Sequence, residues 1–175
     1  MSDSLRGQLL VAAPSLFDYF RRTVILVIEH TPDGAMGVVL NRVSETRVAD
    51  VVPALAELPG ADDAVRIGGP VAPQAVVALG DFGHPEEAGT RVCGSLGTLD
   101  PDGPNESLRR LRVYAGYAGW AAGQLDGELE EDAWIVLDAE SEDPFREDDI
   151  WSEALRRKGG RYRVLATMPS DPSLN

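Results

Sequence analysis

Residues 23–40 read TVILVIEHTPDGAMGVVL. Five consecutive aliphatic residues, Val24 to Ile28, suit a strand covered on both faces, because a half-exposed strand would alternate apolar with polar side chains. The run closes at His30-Thr31-Pro32-Asp33-Gly34, where proline presets one dihedral and glycine permits positive φ, a turn composition. Ala35 to Leu40 then resumes an apolar extended run. The segment therefore predicts a hairpin in the core, with His30 at a strand end where a polar group can face a cleft.

Working outward, Leu9 to Ala13 reads as a short strand stopped by Pro14. Val48, Val51, Val52, Leu55 and Leu58 have the spacing of an amphipathic helix within 46–58, although Pro53 favours a start near Val51 or Val52. Val65 to Ile67 and Ala75 to Leu79 read as strands on either side of a Gly68-Gly69-Pro70 turn. Residues 80–105 read as an excursion around the core, extended only near Arg91 to Cys93 and Leu96. Glu106 to Leu111 predicts one or two helical turns, Arg112 to Ala118 a strand, Gln124 to Glu131 a short helix and Ala133 to Leu137 another strand. Asp149 is placed to cap a helix from Ile150 to Lys158 that Gly159-Gly160 ends. Arg161 to Leu165 reads as a last strand. Several strands with few, short helices and no βαβ series predict a mixed α+β fold.

The 175 residues suffice for one domain with its own core, expected over 1–168, with 169–175 as a mobile tail. Sixteen Lys and Arg against 29 Asp and Glu leave a net charge of −13, which argues against a generic surface for nucleic acid. The charge is uneven. Residues 126–153 hold 13 acidic residues and one basic, while 154–175 hold five basic and one acidic. This segment reads as a solvated acidic face beside Arg156, Arg157, Lys158, Arg161 and Arg163, with a cation-binding or basic-partner surface as the alternative. One cysteine cannot form an intrachain disulfide, and two distant histidines do not make a metal site. Neither a dinucleotide fingerprint nor a phosphate-binding P-loop occurs, so no cofactor is expected. The amino-terminal residues lack the pattern of a signal peptide and no run is long enough to span a bilayer, so no membrane association is expected and the cytoplasm is the default location.

Glu29, His30, Asn41 and Arg42 form the most chemically capable polar set, combining a proton-exchanging imidazole with directed donors suited to an anion. Hydrogen bonding that fixes the hairpin is their structural alternative. Gly68 and Gly69 offer amides to an anion, or a turn that tolerates no side-chain volume. Tyr117, Trp120 and Gln124 line a groove in one reading and are split between core and rim in the other.

Leu9 to Arg42, LLVAAPSLFDYFRRTVILVIEHTPDGAMGVVLNR, together with Gly68-Gly69-Pro70-Val71 and Gly116 to Val136, GYAGWAAGQLDGELEEDAWIV, resembles the ordered blocks of the bacterial YqgE/AlgH family. The chain departs from that pattern at Val76-Val77-Ala78-Leu79-Gly80, which lacks the family's Phe-x-Leu-His strand end. The resemblance implies a compact single α+β domain, a bifurcated mixed sheet or pseudo-barrel with short peripheral helices. It implies no established biochemical activity, and an alginate-regulatory connection of some members defines neither a direct ligand nor a DNA-binding mechanism. The expectation is a noncatalytic cytoplasmic protein that binds another protein or a small anionic molecule. The alternatives are an enzyme using His30 and Arg42 on a phosphate or carboxylate compound, or transcription-related binding of nucleic acid, which the net charge disfavours.

Overall fold

The computed structural model describes residues 4–14, 16, 19–100, 102–147 and 149–167. The tail expected over 169–175 lies outside the described residues. The strands β1 (Gln8–Ala12), β2 (Val24–Thr31) and β3 (Gly34–Val39) lie side by side and antiparallel, with β10 (Trp134–Asp138) on the far side of β1. Alternate side chains enter two different cores. Leu9, Val11, Val24, Leu26 and Ile28 face Trp151 and Leu155 of the helix α3 (Ile150–Lys158). Leu10, Ala12, Ile25 and Val27 face Trp120, Trp134 and Leu125 of the helix α2 (Gln124–Glu130). This two-sided burial is the physical reason for the unbroken aliphatic run in β2.

At the hairpin end, Thr31 pairs with Gly34 across Pro32 and Asp33. Gly34 has φ +145°, and a Cβ there would meet the Trp120 carbonyl oxygen at 2.4 Å, so glycine lets β3 approach the longest strand, β9 (Leu108–Ala121).

β9 is where the sheet forks. Its last residues pair with β3 on one edge, while Tyr114 and Ala115 pair in parallel with β5 (Ala64–Ile67). Its other edge carries β6 (Val71–Phe82), followed by β8 (Leu96–Thr98) and β7 (Arg91–Cys93). β4 (Val43–Arg47) hangs on β5. The ten strands among the described residues curl into a half-barrel with a few short helices around it, a single α+β domain.

Three local expectations fail. Residues 106–111 do not form helical turns: from Leu108 onward they belong to β9, because the 12-residue β6 supplies a full ladder that overrides a weak two-leucine spacing. Residues 46–58 open on strand β4, and the helix α1 is only Val48–Val51, since Pro53 has no N–H to continue it and starts a separate 3-10 turn to Leu55. Arg161–Leu165 is not a strand. Gly159 and Gly160, at φ +81° and +60°, reverse the chain into the helix α4 (Tyr162–Leu165), where Tyr162 and Leu165 pack on the first core. The α3 cap forms as its sequence predicts, with Asp149 accepting from the Ser152 amide at 3.2 Å. Among the described residues no helix is long and apolar enough to cross a membrane.

Candidate functional site

The antiparallel hairpin separates the four polar residues that lie close to it in sequence. Glu29 and His30 stand at its turn end, where His30 pairs with Ala35. Asn41 stands at the other end: its Oδ1 accepts from the Val24 amide at 3.0 Å and its Nδ2 donates to the Arg22 carbonyl at 2.8 Å. Val24 and His30 are six residue steps apart along β2, about 20 Å at the usual rise. Convergence of His30 with Arg42 on one cleft is therefore corrected by the strand geometry. Asn41 is committed to backbone, and Arg42 stacks over the Tyr19 ring at 4.4 Å while donating to the Tyr19 carbonyl.

Gly68 and Gly69 are closely packed and do not form an open cradle. Gly68 donates its amide to Ala115, and Cβ atoms on the two residues would come within 2.4 Å of Gly116 O and 2.2 Å of Tyr117 C. Tyr117 and Trp120 belong to opposite cores. Trp120 and Gln124 do meet, through Glu128: its Oε1 accepts from the Trp120 and Trp134 indoles at 3.1 and 2.8 Å, and its Oε2 from Gln124 at 2.9 Å. The grouping is a polar lock between α2 and the sheet.

His30 remains at an opening. It lines a recess of about 440 Å³ with Ser4, Thr31, Pro32, Ala35 and Asp126. Its Nδ1 accepts from the Leu5 amide at 2.9 Å, which places the proton of the neutral ring on Nε2. The imidazole is thus a fixed donor whose basic nitrogen is already engaged.

Within the acidic segment, residues 140–147 serve as a counter-ion strip. Asp143, with a fully buried side chain, receives both Nη atoms of Arg157 at 3.1 and 2.9 Å and Nε of Arg146 at 3.1 Å. Glu142 holds Arg110 at 2.9 Å, and Glu147 holds Arg112 at 2.5 Å. Behind them lie three buried polar side chains that no motif flagged: Arg66, Arg112 and Tyr114. Burial and the facing Arg112 guanidinium hold Arg66 below its ordinary value, and burial pushes the Tyr114 phenol up. Strand alternation in β9 could have put Arg112 and Tyr114 on one face, but only the β5 pairing brings Arg66 to them. Among the described residues no three His, Cys, Asp or Glu side chains gather as a metal centre requires.

A forked half-barrel with a polar recess at one hairpin and an arginine-rich ion network beside the fork places the chain in the class of small α+β domains built on one curled sheet. The chain belongs to the AlgH-like family, whose model matches residues 9–163. It is 44% identical to a UPF0301 protein of Streptomyces coelicolor, covering 98% of this chain and 96% of the relative, and 43% identical with the same coverage to one of Thermobifida fusca. The crystal structure of protein DIP2367 from Corynebacterium diphtheriae superposes with TM-score 0.85 at 32% identity, covering 95% of this chain and 93% of that one. The solution structure of the AlgH protein from Pseudomonas aeruginosa gives 0.69 at 26% identity, covering 97% of each.

Proposed function

We propose that this protein is a noncatalytic cytoplasmic binding protein with a regulatory role, and that the recess at the β2–β3 turn receives its ligand. The observation that carries this reading is the hydrogen bond from the Leu5 amide to His30 Nδ1. A general base needs a free lone pair on its ring, whereas here the imidazole offers an N–H donor in fixed orientation, which suits recognition. Asp126, an acidic residue, also lines the recess. A donor and an acceptor across one opening favour a polar ligand, small molecule or protein loop, that presents both groups, over the simple anion that the sequence suggests.

Ligand-detected NMR against a metabolite library and cell extract tests this. A specific complex weakened at least tenfold by His30→Ala and by Asp126→Asn, with the fold intact by circular dichroism, supports the recess. A complex unaffected by both substitutions moves recognition elsewhere, and turnover abolished by His30→Ala would make the protein an enzyme.

A further inference from the structure

Two arginines are buried on neighbouring strands of a chain whose net charge is −13. Arg66 on β5 lies opposite Tyr114 on β9, and Arg112 precedes Tyr114 by two residues, so all three side chains project from one face. The arginine side chains are 6% and 7% exposed. Burying a guanidinium is unfavourable unless anions and hydrogen bonds offset the lost hydration.

The two are satisfied very unequally. Arg112 donates to Asp63 at 3.2 Å, to Glu147 at 2.5 Å and to the Pro144 carbonyl at 3.1 Å. Arg66 reaches the Leu40 carbonyl at 3.4 Å and Glu147 Oε2 at 3.7 Å, the latter beyond hydrogen-bonding distance. Its Nε and the Tyr114 hydroxyl are buried without a hydrogen-bond partner among the described residues. Glu147, with a side chain 76% exposed, thus spans both guanidiniums from outside, one oxygen to each, and is seated well on only one.

We propose that Arg66 and Arg112 form a carboxylate-binding site, which Glu147 of the chain's own loop occupies in this conformation and which a small carboxylic acid enters by displacing it. Tethering holds Glu147 at the mouth, whereas a free carboxylate can move inward and hydrogen-bond both arginines. Charge selects the ligand class: with Glu147 away, two arginines and Asp63 leave one positive charge, which a monoanionic carboxylate neutralises and a phosphate dianion exceeds. Asp63 and Arg112 also line an adjoining recess of about 190 Å³ with Phe145, Arg109 and Arg110, the last two already offset by Asp81 and Glu142; it is below the usual size of a drug-like pocket, so the acid is small. This site shares no residue with the His30 recess, and either reading can fail alone.

A tethered carboxylate competes at an effective concentration of about a millimolar or more, so removing it must expose the site. In low-salt buffer, wild type, Glu147→Ala and the double variant Glu147→Ala/Arg66→Met are titrated with acetate, phosphate and chloride at matched ionic strength. The readouts are the Arg112 Nε–H resonance and the thermal midpoint. Acetate should saturate Glu147→Ala with a Kd at least tenfold below that for wild type and raise its midpoint more than chloride or phosphate does, and Arg66→Met should abolish both effects. An acetate response no larger than that to chloride, or one that survives Arg66→Met, overturns the proposal. Should Glu147→Ala not fold, Glu147→Gln keeps a neutral group in place and is titrated in the same way. Acetate affinity equal to wild type in that variant would also overturn it.

Discussion

Glu128 Oε1 accepts a hydrogen bond from each of two indoles, Trp120 at 3.1 Å and Trp134 at 2.8 Å. The rings sit edge to face with centroids 6.2 Å apart and are 7% and 5% exposed, so their N–H groups have little access to water. Glu128→Ala should lower the unfolding free energy by about 2 kcal/mol through two stranded donors. Glu128→Gln, which keeps a carbonyl oxygen, should lose less. Urea unfolding of both variants checks this, and equal losses would mean that packing and not the shared acceptor holds α2.

Asp143 anchors α3 to the loop before it, with a fully buried side chain facing Arg157 and Arg146. Removing the acid takes away the buried counter-ion and leaves Arg157 and Arg146 to share the more exposed Glu140, at 3.0 and 3.4 Å, so Asp143→Ala should destabilise the protein by about 2 kcal/mol. A change below about 1 kcal/mol in equilibrium unfolding would show that water replaces the carboxylate readily.

Asp81 is 4% exposed. Burial alone would raise its carboxyl, but hydrogen bonds from Ser95, Arg110 and Arg109 outweigh that and hold it below the ordinary carboxylate value. The unfolded chain, titrating near pH 3.9, then takes up the proton first as pH falls. The stabilisation is accordingly complete above about pH 5 and is lost as pH drops through 4 towards the folded value. Unfolding measured from pH 6 to 3 should show an acid decline that is shallower in Asp81→Asn. Identical slopes would exclude Asp81 as a contributor.

Burial, and next the charge of Asp143, push the Cys93 thiol up to about 11. At pH 8 its thiolate is scarcer than that of an ordinary thiol, which titrates near 8.5, by a factor on the order of 100. Alkylation by iodoacetamide should be slower than that of a free thiol by about this factor, and a rate matching the free thiol would place Cys93 in an open, polar setting.

Elements with a complete local signal were legible before any contact was known. Val24 to Ile28, the Pro32-Asp33 turn and the Asp149 cap each contain their own physical cause within a few residues. The three misread segments lack one. Leu108 and Leu111 fit a helical turn until β6 offers a ladder, Val43 to Arg47 is a polar strand that exists through β5, and Tyr162 to Leu165 has strand-like composition but no strand to pair with. The site divides in the same way. His30 at a strand end was readable, whereas its loss of Arg42 follows from antiparallel pairing, which sends sequence neighbours of a hairpin to opposite ends.

The sequence by itself determined the α+β character and the core hairpin, because apolar periodicity and turn chemistry act over a few bonds, and its ordered blocks carried the resemblance to the family. Only the tertiary structure decided what the charges do. Arg66, Arg112 and Glu147 are separated by 46 and 35 positions in the chain, and attraction between groups so far apart acts only after the sheet has excluded water and brought them together.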